Sequence, residues 1–362
     1  MALSAQPQET EPDSRRIVIV MGPGRSGTST IAGSLAKAGF EVPGHSIRGN
    51  PTNPSGFFEP RWVVNFHKAI LDRTDVGTLD SSPQALDLVS AATSNPRLRA
   101  EIQTWLCEQL DTQSRLVIKD PRSVWFRDLW VDTARGLGVE PGFVTMLRHP
   151  AEVSASRQRY YSKTERADAR AADIQRIAGW INVALNTELI TQGSPRVFVR
   201  YADLVADWRG ELSRVGESLD LTFTPGLDVA EHPVDEFIDP ALHRVQVDWD
   251  DVEVPGALRD LGERVWTALS ALADADASVD PSPVEELRHE YAELHQDAMA
   301  LSRPVMRRAE VTARRRVRRQ MRAEHSRRAK RAPATASRAA TVKAAAGAGA
   351  RRVRRKMSGR TP

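Results

Sequence analysis

Residues 16–21, Arg-Ile-Val-Ile-Val-Met, form an apolar, largely β-branched run. It passes directly into Gly22-Pro23-Gly24-Arg25-Ser26-Gly27-Thr28-Ser29. A strand that is apolar on both faces belongs inside a parallel sheet covered on both sides. The next stretch reads as a helix from Ser29, with Ile31, Leu35 and Ala38 on one face and Gly39 as its stop. A buried strand, a Gly-rich turn and a helix start in that order aim several backbone N–H groups at one point. The helix dipole adds positive potential there, so the turn is an anion site.

Three further short apolar runs read as strands: Leu116–Ile118, Phe143–Leu147 and Val197–Val199. Helical patterns lie between them, including 98–110 and 174–190. Strands alternating with helices predict an α/β fold, a mainly parallel sheet flanked by helices in three layers. Each strand ends on a polar cluster: Lys119-Asp120, Arg148-His149 and Arg200-Tyr201. Ligands of open α/β sheets sit at such carboxyl ends.

The turn fails as a kinase or ATPase loop. The pattern G-x-x-x-x-G-K-S/T, aligned on Gly22 and Gly27, puts Thr28 where the phosphate-gripping lysine should be. Arg25 offers a planar guanidinium instead, and Ser26, Thr28, Ser29 and Thr30 offer hydroxyls. A donor-rich loop without that lysine suits a phosphosulfate.

Gly24-Arg25-Ser26-Gly27-Thr28-Ser29 resembles the 5′-phosphosulfate loop of sulfotransferases that use 3′-phosphoadenosine-5′-phosphosulfate (PAPS). Leu147-Arg148-His149-Pro150 through Ser156 resembles their 3′-phosphate element, in which a strand-end Arg and a Ser eight residues later grip the phosphate. Lys119-Asp120-Pro121-Arg122, Arg200-Tyr201-Ala202-Asp203-Leu204 and Pro54-Ser55-Gly56-Phe57-Phe58-Glu59 are similar to further segments of bacterial members. The resemblance covers about residues 16–250. It implies the sulfotransferase form of the P-loop fold, with PAPS as co-substrate and no metal. Gly24, Arg25, Ser26, Gly27, Thr28, Ser29, Arg148 and Ser156 would bind it. The R-K-G-x-x-G segment of the cytosolic eukaryotic branch is missing, and Arg244 is a weak substitute.

Sulfuryl transfer needs an in-line acceptor, a base and cations on the leaving phosphate. Arg25, Lys119 and Arg122 are the candidate cations. Glu59 is the first candidate base, because Gly56-Phe57-Phe58 could desolvate it; Asp120 is second and His67 third. Each also has a structural reading: a helix-start acid for Glu59, a salt bridge or helix cap for Asp120, a satisfied core histidine for His67. Trp125, Phe126, Trp130 and Trp180 read as core, and Cys107 as a small apolar residue on a helix. The acceptor implied by the Gly56–Glu59 likeness is a hydroxyl of a carbohydrate or glycolipid. The competing readings are a nucleotide kinase with a degenerate loop and a non-enzymatic nucleic-acid-binding protein.

Charge divides the chain. From Arg303 onward there are 21 Lys and Arg against Glu310 and Glu324, net +19, whereas the preceding part holds 30 basic and 45 acidic residues, net −15. Such a tail suits an anionic membrane surface, an acidic polysaccharide or, less well since it lacks aromatics, nucleic acid. Residues 1–14 read as a disordered lead, 15–275 as the sulfotransferase domain, 276–303 as a helix and 304–362 as a basic tail, partly helical and disordered past Ala332. Leu287, Tyr291, Leu294, Ala298 and Leu301 recur at heptad spacing. That seam serves either a short coiled coil, hence a homodimer, or packing on its own domain. One cysteine, a polar start without an apolar signal and no membrane span predict a cytoplasmic protein, peripheral at the inner membrane surface if the tail docks there.

Overall fold

The computed structural model describes residues 15–50, 53, 56–161, 169–238, 248–274 and 282–331. The expected disordered ends, Pro54, Ser55 and Arg244 lie outside the described residues. Four strands form one parallel sheet in the order β2-β1-β3-β4: β1 (Arg16–Met21), β2 (Arg115–Lys119), β3 (Gly142–Leu147) and β4 (Arg196–Arg200). All four fall where their apolar runs predicted them. The helices α1 (Thr28–Lys37), α2 (Arg61–Thr74), α3 (Ala85–Thr93) and α4 (Pro96–Thr112) lie between β1 and β2. A 3₁₀ turn, Pro121–Phe126, and α5 (Arg127–Gly136) lead to β3; α6 (Pro150–Tyr161) and α7 (Ala169–Thr191) lead to β4.

The two-residue period of β1 separates the outer layers. Val18 and Val20 pack with Ile31 and Leu35 of α1, and with Leu212 and Val215 of α9 (Trp208–Leu219). Ile17, Ile19 and Met21 face the other way, onto Phe66 of α2, Trp105 and Leu106 of α4 and Trp130 of α5. Trp125, Phe126, Trp130 and Trp180 are core, each at most 1% exposed. Each such apolar side chain contributes on the order of 2 kcal/mol.

The strand order reverses direction at β1. The chain leaves β1 for β2 on one side, then returns to place β3 on the other, so the loops after β1 and β3 diverge over a crevice. The loops of this crevice carry Gly22–Gly27 and Arg148.

Compact packing divides the chain into residues 1–295 and 296–362. In the first unit, α10 (Gly256–Asp274) and the start of α11 (Ser282–Arg331) close a third apolar cluster over Phe198 and Trp180. Leu287 and Tyr291 are buried in it, and the Tyr291 hydroxyl bonds to the carbonyls of Ser81 and Ala178. The heptad seam therefore splits. Its beginning packs on its own domain, whereas Ala298 and Leu301 are exposed in the second unit. The helix runs unbroken through Pro304.

Candidate functional site

Two glycines set the loop after β1. Gly22 has φ +124°, and a Cβ there would lie 2.5 Å from the Met146 carbonyl oxygen of β3. Gly27, the residue before α1, has φ +90°, and a Cβ would lie 2.2 Å from Cδ2 of Tyr201. Both conformation and space exclude a side chain. Arg25 itself adopts φ +82°, a left-handed conformation costly for a residue with a Cβ. Such strain at a loop tip suits a functional arginine.

The two elements that the sequence offers as anion sites meet here. Arg25 Nε donates to Ser156 Oγ of α6 at 3.1 Å. Arg148, one residue past β3, reaches the Arg25 carbonyl through Nη1 at 3.5 Å and holds Glu152 through Nε at 2.7 Å. Its guanidinium lies 4.7 Å from the ring centroid of Tyr201, the same ring that underlies Gly27. Tyr201 thus supports both elements from the end of β4. A Cβ on Gly24 would sit 3.3 Å from Arg157 Nη2, which places a further α6 cation against the loop. Ser26 is fully buried, and among the described residues its hydroxyl has no hydrogen-bond partner.

A second group lies at the end of β2. Lys119 Nζ is 2.6 Å from Glu59 Oε1 and donates to Ser29 Oγ at 3.3 Å. The side chains of Lys119 and Glu59 are 3% and 12% exposed, an almost buried ion pair. Ser29 in turn donates to the Phe57 carbonyl at 3.3 Å and accepts from Asn53 Nδ2 at 3.4 Å. Asn53 also caps the Gly56 carbonyl at 2.6 Å. Glu59 is not inside α2: Pro60 is the residue before that helix, and the Glu59 carbonyl accepts from Ile47 N–H at 2.9 Å. Phe58 packs edge-on against Phe237 at 5.5 Å, and both rings fill the space above Gly33 of α1. The aromatic turn therefore anchors the segment against α1, and the group facing the Glu59 carboxylate is a cation.

Asp120 and His67 turn into the core instead. Asp120 is fully buried; it caps the 3₁₀ turn through Arg122 N–H at 3.0 Å and accepts from Arg122 Nη1 at 2.7 Å. Its other oxygen meets His67 Nδ1 at 2.9 Å. Trp130 Nε1 donates to His67 Nε2 at 3.2 Å. An indole only donates, so Nε2 must be an acceptor and His67 the neutral Nδ1–H tautomer. Burial pushes the His67 pKa down, although Asp120 opposes it. Burial alone would raise the Asp120 carboxyl, but the His67 hydrogen bond and Arg122 outweigh it and bring it down to about 2. All the oxygens and nitrogens of this pair are committed, which is the structural reading of both residues. Arg122, expected as a cleft cation, is committed to Asp120.

Asn53, Tyr201, Glu152 and Arg157 complete the site without having been singled out as site residues. Asn53 and Tyr201 had a signal, since they stand at the Asn of an N-P-x-G pattern and the Tyr of an R-Y-x-D-L pattern. Arg157 and Glu152 had only helical spacing from Arg148 and Pro150. Among the described residues, no group of His, Cys, Asp and Glu forms a metal cluster.

No family model and no curated protein matches the chain. Two solved structures similar to it are sulfotransferase domains, the class its two motifs resemble. One is from the Synechococcus PCC 7002 olefin synthase: 18% identity, 79% of this chain and 98% of that domain covered, TM-score 0.37. The other is from the curacin biosynthetic pathway: 15% identity, 71% and 98% covered, TM-score 0.39.

Proposed function

We propose that the crevice binds PAPS and transfers its sulfuryl group to an acceptor hydroxyl, with a carbohydrate or glycolipid alcohol as the acceptor class. The observation that carries this reading is the Arg25–Ser156 hydrogen bond, which joins two anion elements 131 residues apart at adjacent strand ends. One element alone would suit any phosphate; two suit a ligand with phosphates at both ends. The residues fit such a group. Ser26 offers a buried hydroxyl with a bond to make, and Gly24 lets the loop backbone lie close against the Arg157 guanidinium. The first N–H groups of α1, at Thr28 and Ser29, lack intrahelical acceptors as at any helix start.

When bound, PAPS supplies an activated sulfuryl group and a phosphate leaving group. Gly24 through Ser29 hold the phosphosulfate end, with Arg25 as its cation. Arg148 and Ser156 hold the 3′-phosphate. Lys119, fixed between Glu59 and Ser29, places a positive charge where negative charge grows on the leaving oxygen. Glu59 accepts the acceptor's proton as its oxygen bonds to sulfur. Asp120, whose lone pairs serve His67 and Arg122, holds the Lys119 strand end rather than reacting.

Calorimetry with 3′-phosphoadenosine-5′-phosphate (PAP) and with adenosine 5′-monophosphate, each with and without Mg²⁺, tests the reading. PAP should bind without metal at least about 100-fold tighter, the value of one or two charge-assisted bonds to the 3′-phosphate. Equal affinity for the two ligands, or binding that requires Mg²⁺, would point to a nucleotide kinase instead.

A further inference from the structure

The second unit carries a helix with two unlike faces. Between Val305 and Ala323 of α11, Met306, Ala309, Ala313, Val317 and Met321 follow at spacings of three, four, four and four, one continuous stripe. Arg307, Arg314, Arg318 and Arg322 form a row away from it, with Arg308, Arg315 and Arg319 alongside. Arg316 borders the stripe and Gln320 falls within it. Glu310 falls on it, but pairs with Arg314 at 2.5 Å and is drawn toward the basic side. Met306, Val317 and Met321 are 53%, 53% and 65% exposed.

The charge selects an anionic partner, and the stripe selects among anionic partners. A nucleic-acid duplex would satisfy the seven arginines yet leave Met306, Val317 and Met321 in water. A second copy of the helix would bury the stripe but bring two arginine-rich faces and Arg316 together. An anionic bilayer meets both demands, with lipid phosphates at the level of the guanidinium groups and an acyl boundary just beneath. The segment is about 28 Å long at 1.5 Å per residue. Among the described residues, no helix is long and apolar enough to cross a membrane. We infer that residues 305–323 form an in-plane anchor that docks this chain on an anionic lipid surface, methionines and Val317 inward and the arginine rows on the headgroups.

The test uses the full chain and flotation with phosphatidylcholine vesicles, with or without phosphatidylglycerol. Binding is expected only with phosphatidylglycerol. Arg314→Gln, Arg315→Gln, Arg318→Gln and Arg319→Gln together should weaken it by roughly 100- to 1,000-fold. Met306→Ser, Val317→Ser and Met321→Ser together should weaken it at least ~10-fold while sparing binding to duplex DNA. Met321→Trp, in an otherwise unchanged helix, should shift its fluorescence to the blue on phosphatidylglycerol vesicles and not on DNA. Three results each overturn the inference: equal binding to neutral vesicles, no emission shift of the Met321→Trp chain, or tighter binding to duplex DNA than to vesicles at the same salt.

Discussion

Replacing Lys119 by methionine removes one charge from a nearly buried pair while keeping the side-chain length and much of its volume. Its ammonium lies 2.6 Å from Glu59 and 3.3 Å from Ser29, with only 3% of the side chain exposed. The orphaned Glu59 carboxylate should then cost about 3–5 kcal/mol of stability. Glu59→Gln should cost a similar amount, because it strands the ammonium. The double variant strands nothing, so its loss should fall short of the sum of the single losses by at least about 3 kcal/mol. Ligand binding should separate the two singles. Lys119→Met takes a cation from an anion site and should weaken PAP by roughly 10- to 150-fold, the equivalent of a charge-assisted bond of about 1.5–3 kcal/mol. Glu59→Gln removes a nearby negative charge and should leave PAP binding unchanged or tighter. Urea denaturation measures the first set and calorimetry the second. If the losses simply add, or if both variants shift PAP affinity in the same direction, the pair does not work as described.

Gly27→Ala forces a methyl into the Tyr201 ring at φ +90°, so it should cost about 2–4 kcal/mol and loosen PAP together with Arg148's support; a melting temperature within a degree of the parent would refute this. Arg148→Ala should weaken PAP by about 100-fold but adenosine 5′-monophosphate by less than about threefold, and calorimetry showing equal losses would remove it from the 3′-phosphate. His67 has its pKa lowered by burial, so its stabilising contribution is complete above its ordinary value near 6.5 and is lost as pH falls below it, at up to about 1.4 kcal/mol per pH unit. The slope of the urea midpoint between pH 7.5 and 5 should therefore flatten in His67→Gln; parallel slopes would show that His67 takes up its proton in the fold.

The strands were legible because central parallel strands are apolar on both faces, and β1 needs no period to reveal itself. Gly22 through Ser29 stood out through backbone chemistry, and Arg148 and Ser156 through a family resemblance; that the two segments meet through Arg25 and Ser156 is seen in the fold. Which way a side chain turns at a strand end was not legible. Lys119 and Asp120 are neighbours, yet one enters the crevice and the other the core, decided by Glu59 on one side and by His67 and Trp130 on the other. The extent of α11 was also hidden. A proline usually ends a helix, since it lacks an N–H and crowds the carbonyl four residues back, but α11 continues through the exposed Pro304.

The reversal of strand order at β1 has a consequence for synthesis. β1 leaves the ribosome first but is a central strand, with β2 and β3 as its neighbours. From Met21 to Leu147 there are 126 residues, roughly 6–25 s of translation at typical speeds. Until β2 emerges the most apolar strand has no partner, its β3 edge stays open for the whole interval, and the loop after it has no opposing Arg148. The crevice therefore appears late and all at once, when β3 docks. Substitutions that slow β3 should show first as nascent chains that aggregate through Ile17–Met21, before any loss of affinity in the finished protein.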